Sequence, residues 1–295
     1  MKTTKGRWIS TPAADNAARV RYWTRAMESA RRLLDDMARY PVAECGEGFE
    51  SIPDAASDAR VEMLYSNTKQ AGQFERLFFL RRGLIGDLIA AAKDMNERGW
   101  TLKIEDGYRT REMQTAGARR PEVFDGVVKM CRWECGGRTP PVDLVLQRWM
   151  VLAANHPCHG THMIGAAVDV SVFRRDDGSE IWRGAPFPVS SELSPMDSPF
   201  VTEKEHENRL AITGILERHG FMHFPGEFWH YNKGDALCQM LTNSGRPGIY
   251  GPVHWDRRTN QVEPYADVRS PLTPPDVLKQ LIDEAMQRLQ DDDSP

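Results

Sequence analysis

Between residues 16 and 39, apolar side chains recur every third or fourth position: Val20, Trp23, Met27, Ala30, Leu34 and Met37. That spacing lays one apolar stripe along a helix, and Pro41 ends it because proline has no amide donor. Residues 45–59 are rich in Gly, Pro, Ser and Asp and are expected to form a loop. A short strand is expected at 61–65. A second helical pattern runs over 76–98 with Leu80, Leu84, Leu88 and Ala92 inward, and Gly99 is placed to cap its end. Trp100, Leu102 and Ile104 then alternate with polar residues, the period of a strand, up to Asp106-Gly107-Tyr108-Arg109.

Residues 115–141 break the periodicity and are expected to be an irregular insertion. Helix returns at 142–154 and a strand at 168–173, followed by a long Pro/Ser/Gly-rich connection over 174–200. Thr202 and Glu205 form a capping box for a helix over 202–219, closed by Gly220. Short aromatic strands are expected at 221–224 and 227–231, on either side of Pro225-Gly226. Pro274-Pro275 open a last helix over 276–289, and the acidic run 291–293 is expected to be disordered. With no internal repeat and no clean linker, these elements predict one α+β unit: an N-terminal helical extension (1–60), a main domain (61–260) carrying the insertion at about 115–141, and a C-terminal helix with an acidic tail (261–295).

Composition narrows the function. At 295 residues and 40% apolar content the chain can bury a full core. A net charge of -4 offers no basic excess for nucleic acid, and no stretch approaches the ~20 apolar residues of a membrane span. The polar first dozen residues lack the apolar segment of a secretory signal, so a cytoplasmic location is expected. The five cysteines, an odd number in a long chain, are expected to be reduced thiols.

Two constellations carry chemistry. In His162-Met-Ile-Gly165-Ala-Ala-Val-Asp169, small residues at 165–167 allow close backbone approach. Strand alternation puts Val168, Val170 and Val172 on one face and Asp169 and Ser171 on the other. In Glu227-Phe-Trp-His230, a carboxylate and an imidazole stand among large rings that exclude water and raise the carboxylate's basicity. Positions 227 and 230 face opposite ways on an ideal strand, so reaching one site requires a bend, which Pro225-Gly226 can provide. Together they offer two imidazoles, one ligating carboxylate and one spare carboxylate, the set of a catalytic zinc site with an open position. Glu227 suits a general base, and Arg109, at a strand end, suits an oxyanion. Arg109 can also serve simply as a partner for Asp106.

His162-xx-Gly165-x-Ala167-x-Asp169 with Glu227-x-Trp229-His230 resembles the M15 metallopeptidases, and more narrowly the D-alanyl-D-alanine dipeptidases. The resemblance runs from about Val61 to Tyr231. It takes in Asp106-Gly107-Tyr108-Arg109, the helix around Asn208-Arg209-Leu210, and Gly220-Phe221. It implies a small mixed or antiparallel sheet flanked by helices, of the kind shared with Hedgehog-like proteins. It further implies one zinc per chain on His162, Asp169 and His230, with Glu227 as general base and Arg109 supporting the transition state. No organic cofactor is implied, and the substrate is a small D,D-dipeptide. The chain departs from the family pattern at Gly160, where serine is common, and at Pro188, where the dipeptidases place an acid that meets the substrate's ammonium. Glu180, Glu192 and Asp197 are candidates to replace that acid. Hydrolysis of another small amide, or zinc binding without catalysis, are the competing functions. His156, Cys158 and His159 are expected to be loop residues, Cys131 and Cys135 to be free thiols, and the insertion to cover the active site.

Overall fold

The computed structural model describes residues 15–291. The acidic run expected to be disordered lies outside them, apart from Asp291 at the last helix end. In chain order the elements are α1 (Asn16–Met37), β1 (Phe49–Ser51), α2 (Ile52–Ala59), β2 (Met63–Tyr65), β3 (Phe79–Arg81), α3 (Arg82–Glu97), β4 (Trp100–Asp106), α4 (Arg111–Ala118), α5 (Pro121–Glu134), α6 (Val142–Ala153), α7 (Thr161–Ile164), β5 (Ala167–Arg174), α8 (Glu203–Arg218), β6 (Met222–His223), β7 (His230–Asn232), α9 (Ala236–Leu241), β8 (Val253–Asp256), β9 (Gln261–Pro264) and α10 (Pro275–Asp291).

A five-stranded mixed sheet in the order β2-β4-β5-β7-β6 forms the centre, parallel between β2 and β4 and antiparallel elsewhere. The pairs β1-β3 and β8-β9 stand outside it. This is the expected α+β class. Val168, Val170 and Val172 project into the main core with Leu84 and Leu88 of α3 and Ile212 and Leu216 of α8. Asp169 and Ser171, on the other face, are buried too.

Three expectations are corrected. The 45–59 stretch holds β1 and α2, because Pro53 falls in the first turn of a helix, where its missing amide costs nothing, and Ser51 caps that turn by accepting from the Asp54 amide. The helix expected from residue 76 starts at Arg82, after β3. The 115–141 stretch is not irregular: it contains the end of α4 and all of α5, whose Phe124, Val127, Val128 and Cys131 lie on one buried face.

That face belongs to a second core. Phe124 and Val127 of α5 and Val145 and Trp149 of α6 pack against Leu278, Ile282, Ala285 and Leu289 of α10. The C-terminal helix thus shares a core with the insertion, while α1 touches both α5 and α6. Ile282 is 1% exposed, so Ile282→Ala is expected to cost about 2–5 kcal/mol in urea denaturation. A loss below about 0.5 kcal/mol, the surface range, would show that α10 is an undocked appendage. Among the described residues, no helix is long and apolar enough to cross a membrane.

Candidate active site

Sheet register builds the floor of the site. Ile104 pairs with Val170, but the register then shifts so that Asp106, not Glu105, stands opposite Asp169. The extra residue is a bulge; it moves Asp106 onto the face of Asp169, since a one-residue slip exchanges the two faces of a strand. Asp169 is in turn opposite His230 on β7. Asp106, Asp169 and His230 therefore form one row across three strands.

His162 enters from above on the single turn of α7. Gly165 lets the chain fold from that turn into β5: its φ is +72°, and a Cβ there would lie 2.1 Å from the Phe49 ring. His162 Nδ1 donates to the Gly107 carbonyl at 2.7 Å, which leaves Nε2 as the lone-pair nitrogen 3.3 Å from Asp169 Oδ2. Gly107 has its own constraint, as a Cβ would meet the Leu77 carbonyl oxygen at 2.7 Å. His230 Nδ1 is 2.9 Å from Asp169 Oδ1, and its Nε2 meets the Thr161 hydroxyl at 2.8 Å.

The three side chains are buried, and each offers a donor atom within 4.8 Å of the others. Burial alone would raise the Asp169 carboxyl, but His162 and His230 beside it hold it well below the usual carboxylate range. Two imidazoles oriented from outside by hydrogen bonds, with an ionised carboxylate between them, fit a divalent cation of the zinc type. Among the described residues no other group of three His, Cys, Asp or Glu converges in this way.

Glu227 lies in the turn before β7, not in a strand as expected. Its amide donates to the Phe224 carbonyl at 3.2 Å, and its own carbonyl accepts from the His230 amide at 3.2 Å. Phe228 is wedged between the guanidinium groups of Arg183 and Arg209, 4.7 and 4.2 Å from its ring centre. Arg183 also donates to the Phe228 and Val170 carbonyls, which ties the turn to β5. Enclosure by protein pushes the Glu227 carboxyl up to about 7, against the pull of His230 and Arg109.

Arg109 follows the bulge. Its Nε donates to Asp106 at 2.7 Å, its Nη1 to Gln114 at 3.0 Å, and its Nη2 lies 3.6 Å from Asp169. Arg76 holds the same Asp106 oxygen at 3.2 Å. Burial would lower the Arg109 guanidinium, but Asp106 and Asp169 outweigh it and raise it. Arg109 is thus paired with Asp106 and also lines the cavity.

All five residues singled out in the sequence, Arg109, His162, Asp169, Glu227 and His230, line one cavity of about 730 Å³. Gln114 of α4 and Val123 and Val127 of α5 contribute to its lining. Glu180, Glu192 and Asp197 are absent from the lining. Glu192 pairs with Arg19, and Asp197 accepts from Tyr22 at 2.7 Å. Cys131 and Cys135 are free thiols. His159 does reach the cavity, with burial lowering its ring to about 4. The contributions of Thr161, Gln114, Arg76 and the Gly107 carbonyl were not read from the sequence.

Similarity to known proteins agrees with this geometry. The D-Ala-D-Ala dipeptidase family model, peptidase M15, matches residues 141–244, which contain both histidines, Asp169 and Glu227. The D-alanyl-D-alanine dipeptidase of Enterococcus faecium is 31% identical over 151 residues, spanning 50% of this chain and 69% of that protein. The chain belongs to the M15 peptidases. It is a metallopeptidase. The dipeptidase of Synechocystis is 23% identical over 231 residues, 70% of this chain and 90% of that one. Among solved structures, the vancomycin-resistance D,D-pentapeptidase VanY, as a mutant in complex with Zn(II), is 17% identical with a TM-score of 0.33, covering 63% of this chain and 94% of that one.

Proposed function

We propose that this M15 peptidase hydrolyses the peptide bond between D-amino acids in a small substrate of the D-Ala-D-Ala type. His162 Nε2, Asp169 and His230 Nδ1 would hold one zinc ion, and Glu227 would act as general base. The observation that carries the reading is the convergence of two outwardly anchored histidines and an ionised aspartate beside a carboxylate pushed up to about 7. The D-Ala-D-Ala substrate rests on the names of the relatives.

A zinc ion bound there supplies a water acidified toward neutrality and polarises a carbonyl. Glu227 would take the proton of the attacking water and return it to the leaving amine, the task of a positioned general base. Arg109, fixed by Asp106 and Gln114, donates to the oxyanion of the tetrahedral intermediate. Thr161 holds the His230 ring and the Gly107 carbonyl holds the His162 ring, so neither imidazole reorients during turnover. Phe224 and Trp229, which line the cavity near His230 and Glu227, keep bulk water from the base.

Incubation of the zinc-loaded protein with D-Ala-D-Ala is expected to release D-alanine, and incubation with L-Ala-L-Ala is expected to leave the dipeptide intact. Release from the L-isomer alone would overturn the assigned stereochemistry.

Gln114 is assigned a positioning role. Its Oε1 accepts from Arg109 and its Nε2 donates to the Ala153 carbonyl at 3.1 Å, joining the end of α6 to the oxyanion donor. A hydrogen bond to a charged group contributes about 1.5 kcal/mol or more. Gln114→Ala is therefore expected to lower kcat roughly tenfold, with KM and zinc content nearly unchanged. Steady-state kinetics beside a metal assay checks this, and a loss confined to KM would remove the assignment.

A further inference from the structure

β7 covers the edge of β5 only as far as Asp169, which pairs with His230. Further along the strand a different segment takes over: Glu180 bridges Phe173, and the Ile181 amide donates to the Val172 carbonyl at 2.8 Å. Val170 lies between the two coverings. Its amide donates to the Trp229 carbonyl at 2.9 Å, but the chain before His230 has already left the strand for the turn that carries Glu227. The regular ladder therefore stops beside Asp169 on one strand and beside Glu227 on the other. The Val170 and Phe228 carbonyls need donors there, because a buried carbonyl without one is costly.

Arg183 supplies both. Its Nη1 donates to the Phe228 carbonyl at 3.0 Å and its Nη2 to the Val170 carbonyl at 2.6 Å. A guanidinium holds its donors in a fixed plane at a fixed spacing, so the group forms a rung of the sheet made from a side chain. The residue after Asp169 and the residue after Glu227 are joined through it. The fork is itself held in place, since the Arg183 carbonyl accepts from Arg209 Nε at 2.8 Å and the Arg209 guanidinium lies against the far side of Phe228. Arg183 is 1% exposed, and among the described residues no carboxylate bonds to it. A buried cation without an anionic partner is a cost to the fold. The two carbonyls, rather than an ion pair, account for its place.

We propose that Arg183 is a positioning residue for the general base, its fork setting the Glu227 turn against the strand that carries Asp169. The proposal rests on the reading of Glu227 as that base. Arg183 does not line the cavity, so its action passes through the backbone of the turn. A displaced base slows the chemical step while the substrate still binds, which puts the effect on kcat.

The test is D-alanine release from D-Ala-D-Ala by zinc-loaded wild type, Arg183→Lys, Glu227→Gln and the double variant. Lysine keeps a cation but offers one nitrogen for two carbonyls. Arg183→Lys is expected to lower kcat roughly ten- to a hundredfold, with KM within about twofold and zinc still bound. In the Glu227→Gln background the same change should lower the residual rate less than about threefold, because residues that act as a unit are not additive. Arg183→Met, which removes both donors, should behave alike with a loss at least as large. An unchanged kcat, a loss confined to KM, or an equal loss with and without the Glu227 carboxylate would overturn the proposal and leave the base assignment intact. Failure of both Arg183 variants to fold would assign the residue to the fold alone and also overturn it. Full activity of Glu227→Gln, or no release by the wild type, would overturn the reading of the base, and the proposal with it.

Discussion

Glu227→Gln is expected to lower kcat by roughly 10²–10⁴-fold, the usual contribution of a positioned general base, while the protein still binds one zinc per chain. The glutamine keeps the size of the side chain and loses only the ability to accept a proton. The turn that carries it is held by backbone hydrogen bonds and by Phe228 between Arg183 and Arg209, none of which involves the carboxyl. The pH profile adds a sign. In the metal-free site enclosure pushes Glu227 up to about 7. A nearby dication favours the ionised form and lowers that value. For the zinc enzyme, kcat/KM should therefore rise with pH along an acid limb lying below pH 7 and level off above it. In the variant the residual rate should lose that limb. A variant with more than a tenth of wild-type kcat would assign the proton transfer elsewhere.

Removal of one of the proposed zinc ligands is expected to have the second large effect. His162→Ala deletes one of three donors and leaves Asp169 with a single imidazole partner. Zinc affinity should fall by more than the 10–100-fold typical of outer-shell changes, and D-alanine release should fall with it to background. Stability gives an independent readout. Zinc at a hundred times its Kd stabilises the wild type by about 2.7 kcal/mol, seen as a rise in Tm over the metal-free protein. The variant should show no such rise at the same zinc concentration. Thr161→Val, which only frees the outer nitrogen of His230, should sit between the two. If His162→Ala binds zinc as tightly as the wild type, the ion is held by other residues.

Much of this arrangement is written locally. The stripe from Trp23 to Met37, the alternation from Trp100 to Ile104 and the capping box at Thr202 and Glu205 each depend on neighbours within one element, and each formed where its period indicated. The failures share a cause as well. Phe79-Leu80-Arg81 was absorbed into a helix because Leu80, Leu84 and Leu88 keep a four-residue spacing straight across the junction of β3 and α3. The Pro-rich look of 45–59 suggested a loop, yet Pro53, like Pro121 of α5, sits at a helix N-terminus, where proline is favourable. In α5 the apolar period was present in Phe124, Val127, Val128 and Cys131 but framed by arginines and glycines. Its partners on α10 lie more than 140 residues further along the chain.

The site divides in the same way. His162, Asp169, Glu227 and His230 stand in two short motifs whose residue types announce metal and proton chemistry. Gln114 has no such signature: its role comes from Ala153, 39 residues away, and from the bulge that turns Asp106 toward Arg109. Likewise Glu192 and Asp197 looked available in the sequence, and only the docking of α1 shows them occupied by Arg19 and Tyr22. Register shifts and long-range pairings follow from tertiary packing, which no local window contains.

The most direct test of the zinc-hydrolase account is a titration of metal-free protein with zinc, reading D-alanine release from D-Ala-D-Ala at each point. The account predicts release that is absent without metal, rises in proportion to added zinc and levels off at one equivalent per chain. Release that is already full in the metal-free protein, or none at any zinc level, would contradict it.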